Sequence, residues 1–214
     1  MGVGGCYLAL GDDAKAAEWF NKALALQPDL TAARFLLTQM HLLRGEGKEG
    51  LEEAQRILSV DAKSVGGFVL AGYAELLLAD YAQAEEYFGK VNAVDSSYAT
   101  TVLGFIYMKT GRQDEAREMF SRSLRFDEIK LEQGNEDPDV PYDIASVKAM
   151  QGNSAEAYEW LQKAIDSGWT NYRLAELDPS LDSIRNEDRF RQMMAGVKAR
   201  VDEMRRRVEK TEKE

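Results

Sequence analysis

The sequence is poor in cysteine, histidine and proline, and each shortage excludes a class of structure. Its 214 residues include one cysteine, one histidine and four prolines. One cysteine excludes an internal disulfide framework, and one cysteine with one histidine cannot supply the ligands of a structural zinc site. No apolar run approaches the 18 residues that indicate a membrane-spanning helix. The sequence therefore predicts a fold held together by its apolar core, without membrane insertion.

Basic residues are outnumbered by acidic ones. The chain has 27 Lys and Arg against 37 Asp and Glu, which gives a formal net charge of −10. General nucleic-acid binding needs a basic face that neutralises phosphates, so this balance excludes it. The acidic surplus lies in residues 1–184, whereas residues 185–214 are mildly basic.

The residues that are abundant favour helix. Hydrophobic residues make up 44% and charged residues 30%, as in an ordinary folded protein. Ala, Leu, Glu, Lys and Gln are frequent, and all of them have high helix propensity. There is no sustained alternation of apolar and polar residues and no Asn-Gly hairpin signal. The composition predicts an all-α fold.

A repeated spacing organises most of the chain. Five anchor positions, at residues 11, 45, 79, 111 and 152, are each followed by a small residue five positions later and by further core residues nine and twelve positions later. A glycine anchor suits the end of a first helix, where the backbone turns into a left-handed conformation. Residues three apart share one helical face, so the later positions predict the seam between two paired helices. Ala79 replaces glycine at the third anchor.

This pattern resembles the tetratricopeptide-repeat family, most clearly in residues 11–24 and 111–124. The resemblance covers residues 1–169 and implies a right-handed α-solenoid of about five helix pairs. The expected units are about 1–30, 31–64, 65–96, 97–130 and 138–171, with an insertion at 131–137 and the second helix of unit four running to about Leu131. Residues 170–214 are expected to form a capping segment and a long terminal helix, from about Glu187 to Glu209.

Two features predict that the chain is the C-terminal portion of a longer protein. The first unit lacks about four residues of its first helix before Met1. The segment from Leu177 to Phe190 resembles the closing segment that follows such repeats in bacterial multidomain proteins. The resemblance implies a bacterial origin.

The inner side of the array is the candidate binding site. In stacked helix pairs the first helices line the concave surface, and projecting their residues predicts a largely apolar peptide-binding groove. Its candidate residues are Phe35, Gln39, Val69, Tyr73, Tyr98, Thr101, Phe105, Met108, Tyr142 and Ser146. Family members that clamp a terminal carboxylate use Lys, Asn and Arg at inward sites; the corresponding residues here are Leu36, Gln39, Gly66, Leu70, Tyr98 and Val102. A competing interpretation is that several groove residues pack between neighbouring helices and never touch a partner.

No constellation for catalysis is recognisable. His41 has no second histidine and stands where such repeats usually carry an aromatic residue, so we expect a packed structural side chain. Cys6, beside Tyr7 on the first helix, is expected to be a buried and inert thiol. The acidic pairs fall at helix starts and on outward faces, where solvation explains them. The sequence predicts no enzyme activity, no cofactor and no metal site.

These observations leave two functional hypotheses. The first is a non-catalytic scaffold that binds a protein or peptide segment in its groove. The alternative is the C-terminal regulatory or assembly domain of a larger bacterial enzyme or regulator. The sequence does not establish the compartment, although it weakly favours the cytoplasm.

The terminal helix also has two interpretations. Its apolar residues recur in steps of three and four, as in the seam of a coiled coil: Phe190, Met194, Val197, Val201, Met204 and Val208. The first half is expected to dock near Leu161 and Ile165 and to cap the array. A competing hypothesis is a weak homodimer through this helix.

Overall fold

The computed structural model describes residues 2–211 and contains thirteen α-helices and one short 3-10 helix. Those residues include no β-strand, so the prediction of an all-α fold is confirmed. The chain forms two compact units, the first ending at Ala99 and the second beginning at Thr100. The helices of the first unit are α1 (Val3–Ala9), α2 (Asp13–Leu26), α3 (Thr31–Leu43), α4 (Gly47–Val60), α5 (Val65–Leu77) and α6 (Tyr81–Val94).

The second unit contains two further helix pairs and a C-terminal segment. Its paired helices are α7 (Thr100–Lys109), α8 (Gln113–Glu132), α9 (Asp139–Met150) and α10 (Ser154–Asp166). The segment that follows consists of α11 (Tyr172–Leu177), the 3-10 helix (Pro179–Leu181), α12 (Asp182–Arg185) and α13 (Asp188–Thr211).

The same turn closes the first helix of every pair. All five anchor residues have positive φ, between 58° and 81°. The N–H of the residue after each anchor donates a hydrogen bond of 2.8–2.9 Å to the carbonyl five residues earlier, as in Asp12 to Tyr7 and Asn153 to Lys148. This is the hydrogen-bond pattern of a helix C-terminus that ends in a left-handed residue. The predicted role of the anchors is confirmed.

Ala79 is the one non-glycine residue with positive φ in the described chain, at 58°. A left-handed conformation costs an L-residue about 1–2 kcal/mol, which exceeds the extra chain entropy that glycine loses on folding. We therefore expect Ala79→Gly to raise the free energy of unfolding by about 0.5–1 kcal/mol. The reverse change, Gly45→Ala, should lower it, because Gly45 has φ +73° and an added Cβ would meet nothing within 4 Å that could compensate. Urea unfolding of both variants tests this expectation; two unchanged midpoints would contradict it.

Each helix pair is fitted together by one large and one small side chain. A Cβ added to Gly4, Gly72 or Gly104 would lie 2.5–2.6 Å from the phenylalanine ring sixteen residues later. At the same two positions, the other pairs carry a larger residue on the first helix and a smaller one on the second, and all four are buried. The five combinations are Gly4 with Phe20, Thr38 with Ala54, Gly72 with Phe88, Gly104 with Phe120 and Ala145 with Leu161. The sizes compensate, so the helices of every pair can approach closely.

The second helix of the fourth pair, α8, is longer than the others. In α2, α4 and α6 the residue sixteen positions after the anchor is the C-cap, namely Gln27, Asp61 and Asp95. The equivalent residue in α8 is Asp127, which stays helical and is buried. The helix ends at Glu132, close to the predicted Leu131. The loop that follows reverses the chain into α9, and the amide of Asp137 bonds to the Asn135 side chain at 2.7 Å.

The first half of α13 packs against the fifth helix pair, as predicted. Phe190, Met194 and Val197 belong to one buried cluster together with Leu161 and Ile165. The second half is more open, with Met204 and Val208 exposed. The homodimer through this helix stays a prediction.

Candidate interaction surface

In the first unit, the candidate groove residues of α3 and α5 lie on neighbouring helices. The Phe35 ring of α3 lies against α5, so that a Cβ added to Gly66 would be 3.0 Å from it. One helical turn separates Phe35 from Gln39 and Val69 from Tyr73, so each pair shares a face of its helix. Val69 is buried and Tyr73 is 43% exposed. The Tyr73 ring meets Phe88 edge-on, with centroids 5.2 Å apart, so packing fixes this exposed aromatic in place.

In the second unit, the candidate residues of α7 and α9 are mostly covered. Phe105 is 3% exposed, Tyr142 4% and Ser146 2%. Thr101 is partly buried, and its hydroxyl lies 2.6 Å from that of Ser123 on α8. Met108 is partly buried within the cluster around Phe120. These residues therefore support the packing of the helices and offer little surface to a partner. Truncating Phe105 is expected to lower the free energy of unfolding.

Tyr98 does not lie on a first helix as expected. Helix α7 begins at Thr100, and Tyr98 belongs to the turn before it, where it is 62% exposed. The Asp95 carboxylate accepts bonds from the Ser97 amide and hydroxyl at 2.8 and 2.7 Å, which holds the chain in a turn at these residues.

The single histidine and the single cysteine of the sequence lie in different environments. The His41 ring is mostly buried, and its Nδ1 lies 2.7 Å from the Glu46 carboxylate, in keeping with a packed structural side chain. Cys6 is exposed, so the expectation of a buried thiol was wrong. The buried stripe of α1 runs through Gly4, Gly5 and Leu8, and Cys6 falls on the opposite side of the helix.

Sequence reasoning missed an acidic site on α9. Asp139, Tyr142, Asp143 and Ser146 are spaced by three and four residues and so share one helical face. Tyr142 donates a hydrogen bond of 2.7 Å to Asp178, which precedes the 3-10 helix. The Tyr142 ring also stacks on Trp169, with centroids 4.7 Å apart and an angle of 11° between the planes.

Helix α8 contributes the other side of this acidic site. Asp127 is 3% exposed and bonds to Lys130 at 2.8 Å. Burial lowers the pKa of Lys130, but Asp127, Asp143 and Asp137 outweigh that effect and the pKa is raised. The residues of this acidic site are Asp127, Lys130, Asp137, Asp139, Tyr142, Asp143, Ser146, Trp169 and Asp178. The spacing within α9 was visible in the sequence, whereas the approach of Asp127 and Asp178 was not.

Burial, together with nearby carboxylates, favours the protonated form of Asp143. Burial raises its pKa to about 8, and the neighbouring Asp127, Asp139 and Asp178 add to the rise, while Lys130 opposes it. The pKa of Asp127 is also raised by burial, against the opposing effect of Lys130. At neutral pH, Asp143 is therefore mostly a carboxylic acid.

The described part of the chain offers neither a metal site nor a membrane span. Between residues 2 and 211, no group of three or more His, Cys, Asp or Glu side chains is arranged to hold a metal ion. Within the same range, no helix combines the length and the apolar character needed to cross a bilayer.

Comparison with known proteins identifies the repeat. A family model described as tetratricopeptide repeat matches residues 1–30, and a second model of the same description matches residues 101–129. No curated protein matches the sequence. Each matched segment contains one of the five anchor turns. The same turn is found in the three helix pairs that the family models do not match.

Several solved structures have a similar fold. TTC0263, a thermophilic TPR protein of Thermus thermophilus, aligns with a TM-score of 0.63 and 19% identity, over 85% of this chain and 95% of its own. PilF of Pseudomonas aeruginosa aligns with a TM-score of 0.56 and 20% identity, over 94% and 88%. YrrB, described as a TPR protein with an unusual peptide-binding site, aligns with a TM-score of 0.50 and 19% identity, over 81% and 87%. With its repeated turns, its two matched segments and this shared fold, the chain belongs to the tetratricopeptide-repeat family.

Proposed function

We propose that the protein is a non-catalytic scaffold that binds a peptide segment of a partner protein on the inner faces of its first helices. Repeats of this family generally serve protein interaction, and the similar fold of YrrB accompanies a peptide-binding site in that protein. The observation that carries the proposal is the Tyr73 side chain. It is 43% exposed and held edge-on against Phe88, beside the face of α3 that carries Phe35 and Gln39.

A fixed aromatic on an open face suits peptide binding for an energetic reason. Its ring is already ordered by packing, so little side-chain entropy is lost when a partner covers it. Leu77, one turn further along α5, is 37% exposed and extends the apolar surface. An extended or helical peptide could bury both side chains at once.

The test uses peptides selected from a random display library on the intact chain. Tyr73→Ala is expected to weaken their binding about tenfold or more, because burying an aromatic side chain is worth roughly 1.5–3 kcal/mol. Fluorescence anisotropy measures the affinity, and circular dichroism checks that the helices persist. Trp19→Ala is the matched control, because Trp19 is equally exposed, at 44%, but lies on the second helix α2.

The two variants distinguish binding at the inner face from binding elsewhere on the protein. Unchanged affinity in Tyr73→Ala would show that the peptide binds elsewhere. An equal loss in Trp19→Ala would show that binding follows general surface hydrophobicity rather than the inner face.

A further inference from the structure

The inner face of the first unit is the side of α3 and α5 that carries Phe35, Gln39, Tyr73 and Leu77. Segment 35–43 of α3 contains no Asp, Glu, Lys or Arg, and segment 69–77 of α5 contains one, Glu75. Glu75 is 8% exposed and lies two residues from both Tyr73 and Leu77, which puts it on the other side of the helix. A partner that covers Tyr73 and Leu77 meets no charge there, so its contacting side chains must be uncharged.

The inner face also offers few groups for hydrogen bonding. On α3, the buried Thr38 hydroxyl bonds to a carbonyl of its own helix at 2.8 Å, and His41 bonds to Glu46. Within the described helices, the polar side-chain groups left on this face are the Gln39 amide and the Tyr73 hydroxyl. An extended segment lying flat here would bury backbone N–H and carbonyl groups without enough partners, whereas a helix satisfies its own. The face therefore suits a helix.

Carboxylates lie at the end of the inner face. A Cβ added to Gly47 would lie 3.1 Å from the Cβ of Leu77, so the start of α4 touches α5 there. Glu46 is the N-cap of α4, and Asp80, three residues after Leu77, is the N-cap of α6. Arg44 pairs with Glu46 at 2.8 Å. Between residues 2 and 211, however, no basic side chain lies within ion-pair distance of Asp80, whose carboxylate accepts a backbone N–H.

The surroundings of the inner face are acidic as well. Residues 1–99 contain 8 Lys and Arg against 14 Asp and Glu. Such a surface attracts cationic side chains and repels anionic ones within about one Debye length, about 8–10 Å at 0.1–0.15 M salt. An uncharged face with acidic surroundings is complementary to a partner that is apolar on one side and basic beside it.

From these contacts and charges we infer that the partner segment is a basic amphipathic helix, an inference that rests on the proposed function. Its apolar side covers Tyr73 and Leu77 with uncharged aliphatic residues that recur every three or four positions. Lysine or arginine residues border that side and face Asp80 and the acidic surface around it. A helix with acidic flanks and an extended segment both lack this complementarity.

The experiment compares three fluorescent peptides of about 14 residues, roughly four helical turns. In the first, leucines recur every three or four positions and lysines fill the rest. The second has glutamate in place of lysine, and the third has the composition of the first in strict alternation, which is the period of a strand. Fluorescence anisotropy with the intact chain at low ionic strength should show that the first peptide binds about tenfold or more tightly than the other two.

Three variants locate the first peptide on the protein. Tyr73→Ala is expected to weaken its binding about tenfold or more. Asp80→Asn is expected to weaken it about two- to fivefold, because the lost ion pair is solvent-exposed. Asparagine is as good an N-cap as aspartate, so α6 keeps its start. Glu52→Gln removes the same charge from an exposed position on the second helix α4 and should leave the affinity unchanged.

Each outcome decides the inference. Equal affinity for the lysine and glutamate peptides, equal affinity for the helical and alternating peptides, unchanged affinity in Tyr73→Ala, or equal weakening by Asp80→Asn and Glu52→Gln would overturn it. If the leucine–lysine helix fails to bind while the display-selected peptides still bind through Tyr73, the inference fails and the proposed function stands. If no peptide of either kind binds, both fail.

Discussion

Replacing Asp143 with asparagine is expected to stabilise the protein at alkaline pH and to change little at pH 4. The pKa of Asp143 rises from 3.8 to about 8 on folding, because of burial and the nearby carboxylates. Between these values the folded state holds a proton that the unfolded state has lost, so the contribution of Asp143 to stability falls as pH rises. Each pKa unit is worth about 1.4 kcal/mol, and we expect a gain of at least about 2 kcal/mol for Asp143→Asn at pH 9.

Urea unfolding of both proteins at a series of pH values measures this gain. The difference between them should grow from about pH 4 to about pH 8 and then level off, because the penalty is complete once Asp143 is ionised in both states. Glu159→Gln removes a negative charge from an exposed position on α10 and should show no such trend. A flat difference for Asp143→Asn would mean that the carboxylate is solvated in the folded protein.

Replacing Gly72 with alanine is expected to destabilise the first unit, although alanine is the better helix former. The added methyl would lie 2.6, 2.8 and 2.9 Å from three atoms of the Phe88 ring, which is 1% exposed. Overpacking of a core costs about 1–3 kcal/mol, against a helix-propensity gain of about 1 kcal/mol. Adding Phe88→Leu should restore much of the loss, since Ala145 and Leu161 form that combination in the fifth pair.

Gly89→Ala supplies the control, because Gly89 is exposed on α6 and a Cβ there meets nothing within 4 Å. It should gain about 1 kcal/mol from helix propensity alone. The two glycine replacements are thus expected to have opposite signs. Unfolding of the single and double variants gives the coupling energy between residues 72 and 88. If the two substitutions have additive effects on the free energy of unfolding, the Phe88 ring moves aside without cost when residue 72 gains a methyl group.

The repeat could be predicted from the sequence because its determinants are local. An anchor that needs positive φ and a small residue that meets a ring are each fixed by spacing along one helix pair. The spacing also predicted the turn at Ala79 correctly, because φ of this residue is 58° although it is not a glycine. The class of fold therefore followed from residues that lie close together in the chain.

The groove was harder to predict because exposure depends on neighbouring helices. Helical projection placed Phe105 and Tyr142 on the inner side, but their 3% and 4% exposure results from packing that projection does not include. The acidic site needed Asp127, Asp143 and Asp178 to meet across more than thirty residues of sequence, which depends on the length of α8. Tyr98 was misplaced because the helix start at Thr100 could not be located to within two residues.

The exposed thiol of Cys6 makes the protein suitable for single-site labelling without any engineered cysteine. The chain has one cysteine, and its side chain lies on the solvent side of α1. A maleimide fluorophore would therefore mark the first unit alone, away from the stripe of α1 that packs in the core. Trp160 and Trp169 lie in the second unit, with Trp169 at the acidic site. Trp19 lies on α2 in the first unit, so in a Trp19→Phe variant a dye on Cys6 and the two remaining indoles would report separately on the first unit and on the second.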